Sequence, residues 1–449
     1  MQIWGLGLKR MNLVLERMLK NDYITEVEFR SAIEEELFIK ENINLLKAPH
    51  FSMMVNDEVN EIRKELEIDL STELKVYTTY DYSVHSEILT FLDNQMKELE
   101  QKGANNSAVI ITDNNGALIT MIGSVDFFDK ENNGEYNHSL GLIQPASTLK
   151  PFLYALAFDK GYIPQSVILD KLRIFEVKGE DFTPHNADLK EHGLQTITLS
   201  LANSYNLPAM IMTERLGVES FIDLMKQVGL GSINSASECG IVATVGACEV
   251  SLFALTYAYS LFQNEGELST PYMIDRIEDS SGTIIWEHKQ EKNSSKIFGE
   301  NTVAITQMIT NILSDNDARR DQFGSLSSLR TSFPSAAKTG TTQNFKDALT
   351  MGYTPEYIVG VWVGNSLGRE MDGLYGSVAA APIWNYSINL VTANDYEFNY
   401  SELLKITICS DDIVKFNTSS NIDFNSFNQG FEDTTDCQNI TFDYNPLKN

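Results

Sequence analysis

The stretch "GLIQPASTLKPFLYALAFDKG", from Gly141 to Gly161, decides the fold of this chain. Apolar side chains recur at helical spacing after Lys150, which predicts a helix. Pro151 has no backbone N–H and fits best in the first turn of a helix, so it fixes where this helix begins. We therefore place Ser147 at or next to the helix N-terminus, with Lys150 one turn further in. A serine at that position is either a helix cap or a nucleophile with a base one turn away.

Two further short motifs follow this SxxK in the chain. Ser204 and Asn206 form an SxN motif at the end of an apolar helix, and Lys338 opens a KTG at the head of a predicted strand. Each motif is weak alone: a second SxxK starts at Ser335, and several SxN triplets arise by accident. The three motifs in this order are far more specific, because together they form a known serine acyl-transfer set.

The residue types in the three motifs explain how such chemistry would work. A serine hydroxyl is a weak nucleophile, so Ser147 needs a base, and Lys150 is the candidate. Lysine is a base at neutral pH only if its pKa is lowered, which burial and a second cation, Lys338, would achieve. We expect Ser204 to pass a proton between the lysines and the leaving group. Asn206 is expected to hold Lys150 and a substrate amide.

The KTG strand supplies the residue types that bind a peptide carboxylate. Lys338, Thr339 and Thr341 offer one charge and two hydroxyls to such a group. Gly340 is expected to remove a side chain where an extended peptide would lie along the strand edge. The N–H groups of Ser147 and Thr341 are expected to form an oxyanion hole.

Helical and strand-like blocks are segregated along the chain, which predicts an α+β fold with an antiparallel sheet flanked by helices. The run "SAVIITDNNGALITMIGS" predicts a hairpin that turns at Asn114-Asn115-Gly116. We expect helical structure over 9–47, with a turn near Asn21 and a capping box from Thr25 to Glu28, and Pro49 is expected to end it. Further helices are predicted over 82–103 and over most of 165–275, followed by strand-like runs that include the KTG segment.

Composition excludes several classes of function. The net charge of −28 argues against nucleic acid or an anionic membrane surface as a partner. The six histidines include no HExxH motif, so we expect no metal and no cofactor. The four cysteines form no CxxC pair, and two disulfides or free thiols remain open. The sequence predicts no membrane-spanning helix, and its N-terminus lacks a signal-peptide pattern.

The chain resembles the transpeptidase domain of class A, bifunctional penicillin-binding proteins, nearest the 1C type. The resemblance runs from about residue 10 to 390, well beyond the three motifs. It is carried by the stretches "ERMLKNDYITEVEF", "LKVYTTYD", "FTPHNADLKEHGLQTITLSLANSYNLPA" and "KTGTTQNFKDALTMGYTPEYIVGVWVGN". One departure is Ala146, because the family usually has glycine before the nucleophilic serine; this asks more of the backbone at a tight turn.

The resemblance implies a peptidoglycan D,D-transpeptidase. Ser147 would be acylated by a stem peptide ending in D-Ala-D-Ala, and an amine of a neighbouring stem would attack the acyl-enzyme. The implied partners are stem peptides and their lipid-linked precursor polymer, β-lactam antibiotics and a cell-wall synthesis complex. The implied location is the cell envelope, on the outer face of the cytoplasmic membrane.

The resemblance also implies a domain plan. Residues 1–48 would be a glycosyltransferase remnant or helical linker, and residues 49–104 an interdomain linker. The transpeptidase domain would cover 105–395, and 396–449 would be a polar tail or a small appended element. We expect no glycosyltransferase activity and interpret the chain as a truncated portion or a late-starting coding sequence.

Three rival functions share the motifs. A D,D-carboxypeptidase differs only in letting water attack the acyl-enzyme. A β-lactamase would need a second site that activates water, and no such element is evident. A penicillin sensor would bind the ligand and signal through another domain, which is not evident either.

Overall fold

The structure is a computed structural model, and it describes residues 2–34, 46–177, 179–233, 239–290, 296–393, 396–398, 404–408 and 438–442. The chain divides into two compact units, Met1–Lys47 and Ala48–Asn449. The first unit contains helix α1 (Gln2–Lys20) and helix α2 (Glu26–Glu34). The predicted capping box is confirmed: the Thr25 N–H donates to Glu28 Oε2 at 2.7 Å, and the Glu28 N–H donates to Thr25 Oγ1 at 3.3 Å.

The second unit alternates between helical and strand segments. Its α-helices are α3 (Pro49–Glu65), α4 (Tyr82–Leu99), α5 (Lys150–Asp159), α6 (Ile197–Ala202), α7 (Asn206–Leu216), α8 (Val218–Gln227), α9 (Leu252–Ala258), α10 (Ser260–Gln263), α11 (Thr302–Ser314), α12 (Arg320–Phe323) and α13 (Gly376–Val391). Its strands are β1 (Leu74–Thr78), β2 (Asn106–Asp113), β3 (Leu118–Ile122), β4 (Leu142–Ile143), β5 (Val167–Asp170), β6 (Phe175–Val177), β7 (Glu180–Phe182), β8 (Gly193–Thr196), β9 (Val250–Ser251), β10 (Ile274–Asp279), β11 (Ile284–Glu287), β12 (Ala336–Thr341), β13 (Asp347–Tyr353), β14 (Tyr357–Gly364), β15 (Leu404–Ile408) and β16 (Gln438–Phe442).

A five-stranded antiparallel sheet with the order β12-β13-β14-β2-β3 organises this unit. The prediction of an α+β fold with an antiparallel sheet flanked by helices is confirmed. The β2–β3 hairpin turns at the predicted tripeptide, where Gly116 has φ +97°. Strand β12, which carries the KTG motif, lies at one edge of the sheet. One side of this strand is therefore free of a neighbouring strand of the sheet.

Both faces of the sheet are covered, and strand β2 shows this residue by residue. Ala108 and Ile110 pack in one core cluster, whereas Val109 and Ile111 pack in the other. Successive side chains of a strand point to opposite faces, so a strand covered on both faces loses the apolar–polar alternation. Helix α5 lies in the first cluster, and α4 and α13 lie in the second.

Helix α5, which follows the SxxK motif, is enclosed by the first core cluster. Its residues from Lys150 to Phe158 are all buried. A helix buried all round has no polar face to offer solvent. The lysine at its start is therefore placed inside the protein.

The prediction that Pro49 ends helical structure is wrong. Pro49 begins helix α3 instead, in the first turn, where its missing N–H has no intrahelical partner to lose. The preceding residue, Ala48, adopts a left-handed conformation with φ +46°. Proline disrupts a helix when it lies in the interior and is tolerated in the first turn, so its position along the helix decides its effect.

The prediction that 165–275 is mainly helical holds only for its second half. Residues 167–196 form the short strand pairs β5–β8 and β6–β7, joined by loops. Helices α6 to α10 follow within 197–263.

Three histidines of the second unit, His50, His85 and His138, are buried. The rings of His85 and Tyr80 are joined by a 2.6 Å contact between His85 Nδ1 and the tyrosine hydroxyl. His138 stacks on Trp362, with ring centroids 4.9 Å apart, and His50 Nε2 lies 3.3 Å from Glu135 O. Burial lowers the pKa of His85 and of His138 to about 4, with a smaller contribution from the charge of His50.

We expect acid to destabilise the protein through these histidines. Unfolded histidine titrates near pH 6.5, so the unfolded chain binds more protons than the folded one between about pH 6.5 and 4. The contribution of His85 and His138 to the free energy of unfolding is thus fully present above this window, and it is lost as the pH falls through it. Each of the two histidines should contribute a loss of about 2 kcal/mol between pH 7.5 and 5.0. Urea unfolding of the wild type and of His85→Gln measures this, and an equal pH dependence in both proteins would contradict it.

A disulfide joins Cys239 to Cys248, with Cα atoms 5.5 Å apart. It closes the segment that contains the 3₁₀ turn Gly240–Val245. The sequence left open two disulfides or free thiols, and the two described cysteines form a disulfide. Cys409 and Cys437 lie outside the described residues.

Removing this disulfide should lower stability. The double variant Cys239→Ser/Cys248→Ser loses the covalent closure of a short loop. Because this closure lowers the entropy of the unfolded chain, its loss should lower the free energy of unfolding by about 2–3 kcal/mol. Urea unfolding with and without reductant measures the loss. Reductant should shift the wild type toward the double variant and leave the double variant unchanged; a wild type that does not respond to reductant would contradict this role.

Within the tail, β15 and β16 pair with each other in antiparallel register. Of the rest of the predicted tail, only residues 396–398 are described. Across the ranges that the structure describes, no helix combines the length and the apolar content needed to cross a membrane.

Candidate active site

The predicted nucleophile lies on a tight turn just before helix α5. Residues Ala146–Leu149 form one 3₁₀ turn that runs into the helix at Lys150. Thr148 Oγ1 donates to Pro145 O at 2.6 Å and holds this turn closed. Ser147 remains partly exposed between buried neighbours, and it lines a cleft. The turn therefore presents its side chain to solvent.

The residue before the nucleophile adopts a conformation that favours glycine. Ala146 has φ +51°, which costs a residue with a Cβ about 1–2 kcal/mol. The segment closed by the disulfide packs on it: a Cβ built on Gly246 would lie 2.1 Å from Ala146 Cα. The backbone at Gly246 therefore packs directly against Ala146. Close packing of this kind keeps a residue in a strained conformation.

Lys150 is fully buried, and three acceptors from the SxN segment surround its amine. Nζ donates to Ser204 O at 2.6 Å, to Asn206 Oδ1 at 2.7 Å and to Tyr205 O at 3.1 Å. Burial lowers the pKa of Lys150 well below its usual value, and the charge of Lys338 lowers it further. The predicted contact between Asn206 and Lys150 is therefore present in the structure.

Lys338 reaches the same segment from strand β12. Its Nζ donates to Ser204 Oγ at 2.7 Å and to Thr339 O at 3.0 Å. Burial lowers the pKa of Lys338 to about 7, with a contribution from the charge of Arg319. Ser204 thus contacts both lysines, one through its carbonyl and one through its hydroxyl. It has φ +62°, so this bridging residue also holds an unfavourable backbone conformation.

Gly340 has a packing role that the sequence did not predict. A Cβ on Gly340 would lie 2.7 Å from Pro145 O and 3.0 Å from Thr148 Cγ2. The glycine therefore makes room for the turn Ala146–Leu149, and its expected role beside a peptide stays a prediction. Ala336 packs in the same core cluster as helix α5, and side chains on one strand face recur every second residue. Lys338 and Gly340 therefore share the face of β12 that meets the turn.

The other two residues predicted on this strand, Thr339 and Thr341, line the cleft together with Ser147 and Asn206. Thr341 Oγ1 accepts a hydrogen bond from the Gly376 N–H at 2.9 Å, which leaves its own proton available to a ligand. The cleft has a volume of about 740 Å³. Five of the eight predicted site residues line this cleft, and Lys150 and Lys338 both contact one of the five, Ser204. Gly340 packs against the turn that carries Ser147. The roles assigned to all eight stay predictions.

The second SxxK does not form a second site. Ser335 is buried, and its hydroxyl lies 2.8 Å from Thr331 Oγ1. Sequence reasoning missed several residues around the cleft. They include Asn186 and Val245, which line it, and the buried Asp170, which contacts Asn186. Asn186 lies in the stretch that approaches SxN, and no signal in the sequence pointed to Asp170.

A serine on a helix-initiating turn, with two buried lysines joined through a second serine, is the arrangement that the three motifs predicted. Residues 106–385 match the transpeptidase family described as the penicillin binding protein transpeptidase domain. The chain belongs to this family. Its predicted family is thus confirmed.

Proteins of several bacteria are similar to the chain in sequence. The chain is 28% identical to penicillin-binding protein 1A of Aquifex aeolicus over 471 residues, covering 86% of this chain and 62% of the relative. It is 25% identical to penicillin-binding protein 1C of Escherichia coli over 389 residues, covering 85% of this chain and 45% of the relative. The chain thus spans less than two thirds of the length of these two relatives.

Solved structures share the fold. The crystal structure of penicillin-binding protein 1A from Haemophilus influenzae gives a TM-score of 0.70 at 19% identity, covering 89% of this chain and 79% of that one. The PonA1 protein from Mycobacterium tuberculosis in complex with penicillin V gives 0.62 at 20% identity, covering 79% and 97%. At these identities the likeness shows the fold alone.

Proposed function

We propose that the chain is a peptidoglycan D,D-transpeptidase that forms an acyl-enzyme on Ser147 and binds β-lactams covalently there. The observation that carries the proposal is the junction of Lys150 and Lys338 at Ser204, beside the exposed serine. Burial lowers the pKa of both amines, and the charge of Lys338 lowers the pKa of Lys150 further, so that an amine can act as a base at neutral pH. The family membership and the relatives named penicillin-binding proteins support the proposal.

The proposed first step is attack of Ser147 Oγ on the carbonyl carbon of the penultimate D-Ala. Lys150 takes the serine proton as the C–O bond forms. An ammonium group has three protons and a neutral amine has two, so the base form must give up one of its three contacts. The contact to Tyr205 O is the longest, at 3.1 Å, and its loss frees a lone pair for the serine.

In the second step the C–N bond breaks and the terminal D-Ala leaves as an amine. The leaving nitrogen takes the Ser204 hydroxyl proton, and Lys338 Nζ, 2.7 Å from Ser204 Oγ, replaces it. When the acyl-enzyme breaks down, the proton of the attacking amine returns to Lys338 by the same path, and Lys150 returns its proton to Ser147. Lys338, Thr339 and Thr341 hold the terminal carboxylate during this step. An amine of a second stem then attacks the acyl carbonyl and releases Ser147. With a β-lactam the leaving nitrogen stays tethered, so the acyl-enzyme persists.

Labelling with a fluorescent penicillin tests the proposal. We expect one label per molecule of wild type and none on Ser147→Ala. Ser335→Ala is the matched control, since it alters the serine of the other SxxK and should retain the label. A wild type that takes no label, or a label that survives in Ser147→Ala, would contradict the assignment of the nucleophile.

The fate of the acyl group separates the rival functions. Rapid release of hydrolysed penicillin would indicate a β-lactamase. A peptide ending in D-Ala-D-Ala, given with and without an amine acceptor, separates the other two: product that forms only with the amine indicates a transpeptidase, and product with water alone a carboxypeptidase. We further propose that the chain acts in the cell envelope on stem peptides. The domain boundaries and the lack of glycosyltransferase activity stay predictions.

A further inference from the structure

A buried carboxylate lies close to the site but outside the residues assigned to the reaction. Asp170 ends strand β5 and is 0% exposed. Its oxygens accept from Asn186 Nδ2 at 2.9 and 2.8 Å, and from the His192 backbone N–H at 3.0 Å. His192 Nδ1 lies 2.6 Å from the same carboxylate. A charge buried this deeply is retained only where several donors compensate it.

Asn186 connects this carboxylate to the SxN motif. Its Oδ1 accepts from the Asn206 backbone N–H at 2.8 Å. Asn206 begins helix α7, and first-turn amides have no partner within their own helix, so Asn186 caps the helix from outside. Asn206 Nδ2 in turn donates to His185 O at 2.7 Å. The loop that carries His185 and Asn186 therefore holds Asn206 by its backbone and by its side chain.

His192 holds the neighbouring residue of the motif. Its ring stacks on Tyr205, with centroids 4.1 Å apart and an angle of 16° between the planes. Tyr205 O and Asn206 Oδ1 are two of the three acceptors of Lys150 Nζ. A continuous series of contacts thus runs from Asp170 to the amine of Lys150.

We propose that Asp170, Asn186 and His192 form a positioning unit that fixes the SxN segment so that its oxygens aim Lys150 at Ser147. This role rests on the proposed function. The segment needs such support, because Ser204 has φ +62° and a left-handed residue persists only where its surroundings hold it. Small displacements of a base relative to its nucleophile cost large factors in rate.

Substitutions of Asn186 test the proposal through the rate at which the fluorescent penicillin labels the purified chain. The fluorescent penicillin should label Asn186→Ala about tenfold to a hundredfold more slowly than the wild type, and the label should still reach one per folded molecule. Asn186→Asp places a second carboxylate against Asp170 and should be at least as slow. The exchanged pair Asp170→Asn/Asn186→Asp restores a donor facing an acceptor, and it should label at least about ten times faster than Asn186→Asp alone.

Asn106→Ala is the matched control. Asn106 is as buried as Asn186, at 2% exposure, and its side chain makes four hydrogen bonds away from the cleft. This variant should melt at a lower temperature and label at the wild-type rate. A purely structural role for Asn186 would give the same pattern.

The comparison between Asn186→Asp and the exchanged pair decides the outcome even if Asn186→Ala does not fold. Equal labelling rates in those two variants would overturn the positioning role, and so would wild-type rates in Asn186→Ala. A wild type that takes no label would overturn the proposed function and this role with it. A labelled wild type with unaffected Asn186 variants would overturn the positioning role alone.

Discussion

Lys150→Met should slow acylation of Ser147 by about a thousandfold, the range by which general bases accelerate reactions. Methionine has similar length and suits the buried site, whereas it has no lone pair able to take the serine proton. The change also leaves three acceptors without their donor: Ser204 O, Tyr205 O and Asn206 Oδ1. Rates of penicillin labelling, taken per folded molecule, measure the effect.

Lys160→Met is the matched control for this change. Lys160 follows the same helix, and its exposed amine pairs with Asp159, at 3.1 Å. Exposed pairs of this kind contribute at most about 1 kcal/mol, so both stability and the labelling rate should stay at wild-type values. A Lys150→Met protein that labels as fast as Lys160→Met would show that Lys150 is not the base.

Gly246→Ala should disrupt the turn Ala146–Leu149, although Gly246 lies in a segment that takes no part in the proposed reaction. The new Cβ would lie 2.1 Å from both Cα and N of Ala146, and these are backbone atoms that cannot rotate away. Gly246 also has φ +92°, where a Cβ is strained. We expect a loss of about 3 kcal/mol in stability, together with acylation slowed by about a hundredfold as Ser147 shifts.

Gly229→Ala separates the clash from the backbone strain. Gly229 has φ +85°, and a Cβ there would meet no atom within 4 Å. This control carries the strain without the collision, so it should lose about 1–2 kcal/mol of stability and keep its acylation rate. Thermal melting and penicillin labelling measure both quantities. Equal acylation rates in the two glycine variants would contradict the idea that Gly246 supports the turn.

The features that the sequence predicted well depend on short stretches of chain. The β2–β3 hairpin turns at Asn114-Asn115-Gly116 because a local turn specifies it. The helix after Ser147 begins near Pro151 for an equally local reason. The gathering of the SxxK, SxN and KTG residues around one cleft was predicted from the chemistry they share, because a nucleophile, a base and a carboxylate site have to meet.

The errors arose where distant contacts decide the outcome. Pro49 has the same covalent structure whether it ends a helix or begins one, and only the surrounding fold selects between the two. The packing role of Gly340 was not predicted either, because its missing Cβ makes room for Pro145, far away in the chain. Asp170 ends a short strand, and Asn186 lies in a loop whose residue types resemble an ordinary polar surface. Their burial against the SxN motif has no local signal.

The bond between Cys239 and Cys248 has a consequence for when the site matures. Disulfides form and persist in oxidising compartments, whereas the cytoplasm keeps thiols reduced. For a chain that acts in the cell envelope, as proposed, synthesis would deliver two free thiols, and the segment facing Ala146 would lack its covalent closure until export is complete. The disulfide that closes the segment packed against the turn Ala146–Leu149 would then form on the side of the membrane where the substrate is found.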